Sequence, residues 1–281
     1  MRLTRGAVLL LAAVLLVFLG LYVLPLATLV RESFKVYRSG RIGGLTGTFT
    51  LANYAELFTP AYAAYFLDTF RIGFIATALG LIASYPIAHF VARGRGRIRT
   101  LWIALLVAML FVGTLVRAYS FALTFGPVGV LLPVSRFLGV SPNSLTITEL
   151  VVIAGLLHYV IPLMALTLVG TIHNVNPALE QVAQSLGAPR WKAFFTITVL
   201  LSGRGILSAF LLGYALTISS FVIPMVLGKG IVLFATNLIF NRFSELAHYP
   251  GGAAIAVVML LLSFLIIYGI VRVVSRRLEP A

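Results

Sequence analysis

Asn176-Pro177-Ala178-Leu179-Glu180-Gln181-Val182-Ala183-Gln184-Ser185-Leu186-Gly187 reads as a helix too short to cross a bilayer, set between two apolar runs that are long enough. Asn176 suits an N-cap and Pro177 the first helical position. Glu180 lies near the positive end of the helix dipole, and Gly187 is placed to end the helix. Leu179, Val182, Ala183 and Leu186 fall at i, i+3, i+4 and i+7 and form one apolar stripe, with Glu180, Gln181, Gln184 and Ser185 facing the other way. About ten residues rise about 15 Å, half the thickness of a hydrocarbon core. Two placements are open for such a helix. One lying flat on lipid normally carries Lys and Arg on its polar face. This one carries none, and a neutral-to-acidic face beside a modest stripe fits a protein groove better.

The flanking runs, 150–172 and 201–226, are joined by four more at 6–30, 69–92, 101–124 and 253–274. Each is long enough for a helix to cross the bilayer, so the expected fold is an all-α integral membrane protein of about six spans. It forms a single transmembrane domain over 1–281, with a connecting loop 173–200 that holds the short helix. The composition agrees: 60% of residues are hydrophobic and only 10% charged, with a mean hydropathy of +1.07. A soluble domain needs about 25% charged residues to cover its surface. A soluble enzyme and a disordered binder are excluded, and with no cysteine so are a disulfide scaffold and any thiolate chemistry. The run from Gly6 to Val30 exceeds the apolar region of a signal peptide and reads as an uncleaved anchor. Of the 21 Lys and Arg, Arg93, Arg95, Arg97 and Arg99 crowd into one short loop. Such a loop stays on the cytoplasmic side, which puts both termini and the short helix there too. The segments 31–68 (with Gly40, Gly43, Gly44 and Gly47, then Thr50 to Tyr54 and a short helix) and 127–148 (with Pro127, Pro133, Pro142 and Asn143) then lie on the outer face.

The stretch Glu180 to Ala188, followed by Phe194, Phe195 and Ile197, resembles the EAA loop of permease subunits of ABC importers. Gln181, Val182 and Ala183 stand at the Glu-Ala-Ala places and Gly187 at the glycine, while Glu180 carries the acid one position early. Val199 and Leu200 replace the terminal Leu-Pro. Phe49-Thr50-Leu51-Ala52-Asn53-Tyr54, Tyr85-Pro86-Ile87-Ala88, Leu115-Val116-Arg117-Ala118-Tyr119 and Phe221 to Gly228 are similar to the spermidine/putrescine (PotB-type) branch of that family. The resemblance implies a type I ABC importer permease fold in a bacterial inner membrane. It implies a second homologous permease subunit, two ATPase subunits and a periplasmic solute-binding protein. Leu179, Glu180, Gln181, Val182, Ala183, Leu186 and Gly187 would couple to the ATPase. No cofactor belongs to this chain, since ATP and Mg would sit on the partner, and the chain is not itself an enzyme. A polyamine or similar small organic cation is the implied solute. The alternative is a zwitterionic or anionic one, such as an opine or an aminoalkylphosphonate.

Candidate pathway residues are few, because ionisable groups are costly inside a membrane. Asp68 and Glu149 stand at the outer ends of their spans, where a cation could be met. Arg117 could hold an anion. Tyr119, Tyr159, Ser219, Ser220 and Phe221 offer hydroxyls and ring faces for an ammonium. Pro86, Pro162 and Pro224 inside spans suggest kinks or freed carbonyls. An ion-coupled secondary transporter would need a buried carboxylate, and the middle of every span lacks one. An enzyme would need clustered His and acid, yet His89, His158, His173 and His248 are scattered. No phosphate-binding loop is present, so any use of ATP belongs to a partner.

Overall fold

The computed structural model describes residues 14–37, 48–126 and 143–278, with positions 129, 130, 133, 137, 139 and 141 between them, and only the backbone of 277 and 278. The start of the expected first span (6–13), Gly40, Gly43, Gly44, Gly47, Pro127 and Pro142 lie outside the described residues. The described chain is helical, with one isolated bridge between Lys35 and Phe49. Its helices are α1 (Val14–Ser33), α2 (Ala52–Leu57), α3 (Pro60–Arg93), α4 (Gly96–Phe111), α5 (Thr114–Phe125) and α6 (Leu145–His173). There follow α7 (Ala178–Ser185), α8 (Arg190–Val199), α9 (Gly203–Ile218), α10 (Val222–Leu227), α11 (Ala235–Phe240) and α12 (Tyr249–Leu278). By length and composition four of them, α1, α3, α6 and α12, can cross a membrane; the bent pairs α4–α5 and α8–α9 raise the number to six.

The chain divides into two compact units, residues 65–234 with 263–281 and residues 1–64 with 235–262. In the larger unit α6 is the axis. Val152, Leu156, Val160, Met164, Leu168 and Ile172 recur every fourth residue along it, and each is fully buried. At 3.6 residues per turn each step of four advances about 40°, so the buried face winds about half-way round α6. The lower part of this face packs with Ala88, Val91, Leu106 and Ala209, and the upper part with Ile72, Ala76, Ile223 and Phe234. Gly205, Ala209 and Gly213 present a stripe of small residues on α9, which lets two backbones approach closely. A Cβ added at Gly213 would lie 2.9 Å from Met164 Sδ, and one at Gly205 2.3 Å from Thr171 Cγ2. Gly213→Leu is therefore expected to cost about 1–3 kcal/mol through overpacking. Thermal unfolding in detergent should show a lowered midpoint, whereas Gly170→Ala, where an added Cβ inside α6 meets nothing within 4 Å, should leave it unchanged or raise it.

Two expected spans are not single helices. The span 101–124 is broken into α4 and α5, which meet at 90°. Val112 (ψ 116°) and Gly113 (ψ 139°) are extended, so the turn of helix that would have joined them is missing. The span 201–226 ends as a helix at Ile218 and restarts as α10. Pro224 has no N–H for the carbonyl of Ser220, and its ring crowds that carbonyl, so the chain opens just ahead of it. Pro86 and Pro162 lie within unbroken α3 and α6. The second span is longer than the expected 69–92: α3 has 34 residues.

In the smaller unit, polar side chains do the fastening. Asn53 donates to the carbonyls of Ser33 (2.9 Å) and Lys35 (2.8 Å), and the hydroxyls of Tyr54 and Ser33 pair at 2.6 Å. Arg242 forms an ion pair with Glu56 at 2.5 Å and also bonds the Tyr62 hydroxyl.

Candidate functional site

The short helix starts one residue later than expected, with Pro177 at the N-cap and Ala178 first in the helix. Asn176 Oδ1 accepts from the Ala178 N–H at 3.0 Å, and Glu180 sits in the first turn. At the other end Gly187 has φ +89°, a conformation that glycine adopts without strain. Its N–H donates to Gln184 O and that of Ala188 to Ala183 O, each at 3.0 Å. A Cβ at Gly187 would meet nothing within 4 Å in this chain. The turn, rather than a close approach inside the fold, is what asks for glycine here. Pro189 then opens α8, where Arg190, Trp191 and Lys192 are exposed.

The helix rests on the fold by one edge. Glu180, Ala183 and Gln184, at i, i+3 and i+4, are half-buried, and no residue of α7 is fully buried. The larger members of the apolar stripe stay open: Leu179 is 45%, Val182 55% and Leu186 83% exposed. Alongside them runs a groove of about 400 Å³, closed on its far side by Thr196, Ile197 and Leu201. The expected division into an apolar and a polar face is thus split differently. Glu180 turns inward while Gln181 and Ser185 face out.

Glu180 meets side chains from two other helices. Thr198 Oγ1 donates to its carboxylate, and Arg93 Nη2 lies 3.9 Å from Oε1. Arg93 Nη1 donates to Val175 O at 2.8 Å, which ties the end of α3 to the approach to α7. Around them Tyr85 and Ser202 share a hydroxyl hydrogen bond of 2.9 Å, and the His89 ring stands edge-on to Phe194 with centroids 5.0 Å apart. Arg93 reads from sequence only as a topology signal, and Thr198 gives no signal at all.

The candidate pathway residues fall into separate groups. Asp68 and Glu149 are brought together by Arg71, whose Nη2 lies 3.2 Å from Asp68 Oδ1 and hydrogen-bonds Glu149 Oε1. Both carboxylates are therefore engaged with a cation of this chain. Arg117 is 2% exposed. Its Nη2 donates to Met109 O at 2.8 Å and Val112 O at 3.2 Å, and its guanidinium lies 5.2 Å from the centroid of the Tyr159 ring. Tyr119, two residues on, is exposed. Ser219, Ser220 and Phe221 form the break between α9 and α10, where Ser219 Oγ returns to Ala215 O at 2.8 Å. Among the described residues, no group of three or more His, Asp or Glu is placed to hold a metal ion.

Apolar helices of spanning length, with two of up to six candidate spans bent at a break, and a short braced helix with an open apolar stripe are the features of a membrane protein that crosses the bilayer several times. Residues 84–280 match the family described as the binding-protein-dependent transport system inner membrane component, and the chain belongs to that family. It is a permease subunit of an ABC importer. The spermidine/putrescine transport system permease protein PotB of Haemophilus influenzae is 29% identical over 78% of this chain and 77% of its own length. The molybdenum transport system permease protein ModB of Azotobacter vinelandii is 28% identical over 72% of this chain and 89% of its own. Among solved structures, a bacterial ABC transporter involved in the import of the acidic polysaccharide alginate superposes with a TM-score of 0.75 at 14% identity, covering 95% of this chain and 94% of that one. A structure of bacterial alginate ABC transporter in complex with alginate pentasaccharide-bound periplasmic protein gives 0.74 at 15% identity, over 97% and 94%. At those identities the likeness is one of fold.

Proposed function

We propose that this chain forms half of a polyamine pathway and is driven by cytoplasmic ATPase subunits that grip α7. The observation that carries the reading is the open stripe of Leu179, Val182 and Leu186 on a helix whose other edge is fastened to the spans. Three large apolar side chains left outside a fold mark a surface that lipid or another protein covers, and a polar face without Lys or Arg favours the protein. A cytoplasmic position is supported by Arg93, which contacts Val175 and Glu180. That contact puts the arginine-rich loop 93–99 and α7 at one end, and short basic loops stay inside. ATP and Mg belong to the partner, and a second permease completes the pathway. A periplasmic protein delivers the solute.

For the solute, support comes from the likeness to PotB over most of the chain, with exposed Tyr119 as a ring face for an ammonium, since the Tyr159 ring already carries the Arg117 guanidinium. An anionic solute would have to reach Arg117, which is 2% exposed; its Nη2 serves two backbone carbonyls, and its Nε and Nη1 hydrogen-bond nothing among the described residues. Calorimetry on the cognate binding protein is expected to show spermidine or putrescine bound at micromolar affinity or tighter. Cells lacking this chain are expected to take up labelled spermidine only at background. A binding protein that takes molybdate or a phosphonate and no polyamine would overturn the solute assignment.

A further inference from the structure

We infer that Glu180 is a positioning residue that locks α7 to the spans, so that the short helix, the end of α3 and the entrance to α9 move as one body. The inference rests on the reading of this chain as an ATP-driven permease and goes beyond it to a residue and its mechanical part. Because no residue of α7 is fully buried, apolar burial does little to orient the helix. Its ends are turns, with Asn174 to Pro177 before it and Gly187, at φ +89°, and Pro189 after it. A push on Leu179, Val182 or Leu186 would roll a helix held only by such turns, and little of the movement would reach the spans.

Glu180 supplies what the apolar contacts lack. Its carboxylate takes a hydrogen bond from Thr198 on α8 and faces Arg93 on α3 at 3.9 Å. Arg93 is itself held by Val175 O at 2.8 Å, and its Nη2 hydrogen-bonds nothing among the described residues. At 3.9 Å that nitrogen faces the carboxylate as an ion pair rather than a hydrogen bond. The Glu180 and Arg93 side chains are 19% and 22% exposed, so solvent screens the pair less than it would a surface ion pair. Gln181, at the place of the acid in the family motif, is exposed and neutral. The carboxylate of this chain therefore works inward, not toward the partner.

The test uses the whole complex of this chain with its second permease and ATPase subunits. The chain has no native cysteine, so spin labels at Ser185→Cys on α7 and Phe90→Cys in the last turn of α3, where the side chain is exposed, report the distance between the two helices. A narrow distribution is expected, the same without nucleotide and with ATP and vanadate. Glu180→Ala should widen it at least twofold while the ATPase still copurifies, and spermidine transported per ATP should fall tenfold or more. Glu180→Gln, which keeps an acceptor for Thr198 while Arg93 stays on Val175 O, should restore most of the narrow distribution, with the same amount of complex recovered from the native sequence and from both variants, which a contact serving only general stability would not give. The inference is overturned by a distance that changes with nucleotide in the native sequence, by an unchanged distribution in Glu180→Ala, or by loss of the ATPase from that variant. If spermidine is not carried even by the native sequence, the solute assignment fails and the distances still decide the role of Glu180.

Discussion

Replacing Leu179, Val182 and Leu186 together by aspartate is expected to reduce uptake to background while the protein remains in the membrane at its normal level. The three side chains contribute little inside the chain, since they are 45%, 55% and 83% exposed. Their loss should leave the buried face of α6, the α9 contact and the Glu180 contacts in place. A fully buried Leu or Val is worth roughly 1.5–3 kcal/mol relative to an exposed one. With Leu186 mostly open and the other two half covered, docking them stabilises the complex by about 3–5 kcal/mol, or on the order of 10²–10⁴ in association. Three carboxylates in an apolar cleft add a desolvation cost on top. Copurification of the ATPase with the tagged permease reads the loss directly, and membrane fractionation shows that the chain is still inserted. Normal uptake, or an ATPase that stays bound, would mean that the stripe meets lipid and that coupling runs through another surface.

How much of this was legible in the sequence depends on the distance over which each feature is decided. A run such as 253–274 announces a spanning helix because some twenty apolar residues in a row leave no soluble alternative. The ends of α7 are equally local: Asn176, Pro177 and Gly187 each act on the backbone within three or four residues. What the stripe could not give was which edge of α7 rests on the fold. Glu180 shares a side with Gln181 and Ser185 by periodicity alone, and only Arg93 and Thr198, from elsewhere in the chain, single it out. The break at Val112–Gly113 was hidden for a different reason. Hydropathy registers side chains, and a two-residue change of ψ inside an apolar run alters none of them. Asp68 and Glu149 looked available for a cation because Arg71, which engages both, pairs with Glu149 from another helix.

Arg117→Met is expected to lower stability and to loosen the junction of α4 and α5, with any change in transport following from that. The last carbonyls of α4 have no intrahelical donors, because Val112 and Gly113 leave the helical conformation. Arg117, one turn into α5, reaches back to two of the exposed acceptors, Met109 O and Val112 O. A cation at a helix C-terminus is also favoured by the dipole, and the face of Tyr159 supports the guanidinium from the side. Hydrogen bonds from a charged donor contribute about 1.5–3 kcal/mol each. Relief from burying the charge offsets a large part, about 2.5–3.5 kcal/mol on insertion scales. The net loss is then about 1–3 kcal/mol, seen as a lower unfolding midpoint in detergent and faster proteolysis near residue 112. Lysine is expected to rescue part of the loss, since both bonds leave one nitrogen, Nη2, and an ammonium also has donors for two carbonyls, while the contact with the Tyr159 ring is reduced. If Arg117→Met were instead as stable as the native sequence and shifted only the solute concentration for half-maximal uptake, the guanidinium would be a pathway group, and an anionic solute would become the better assignment.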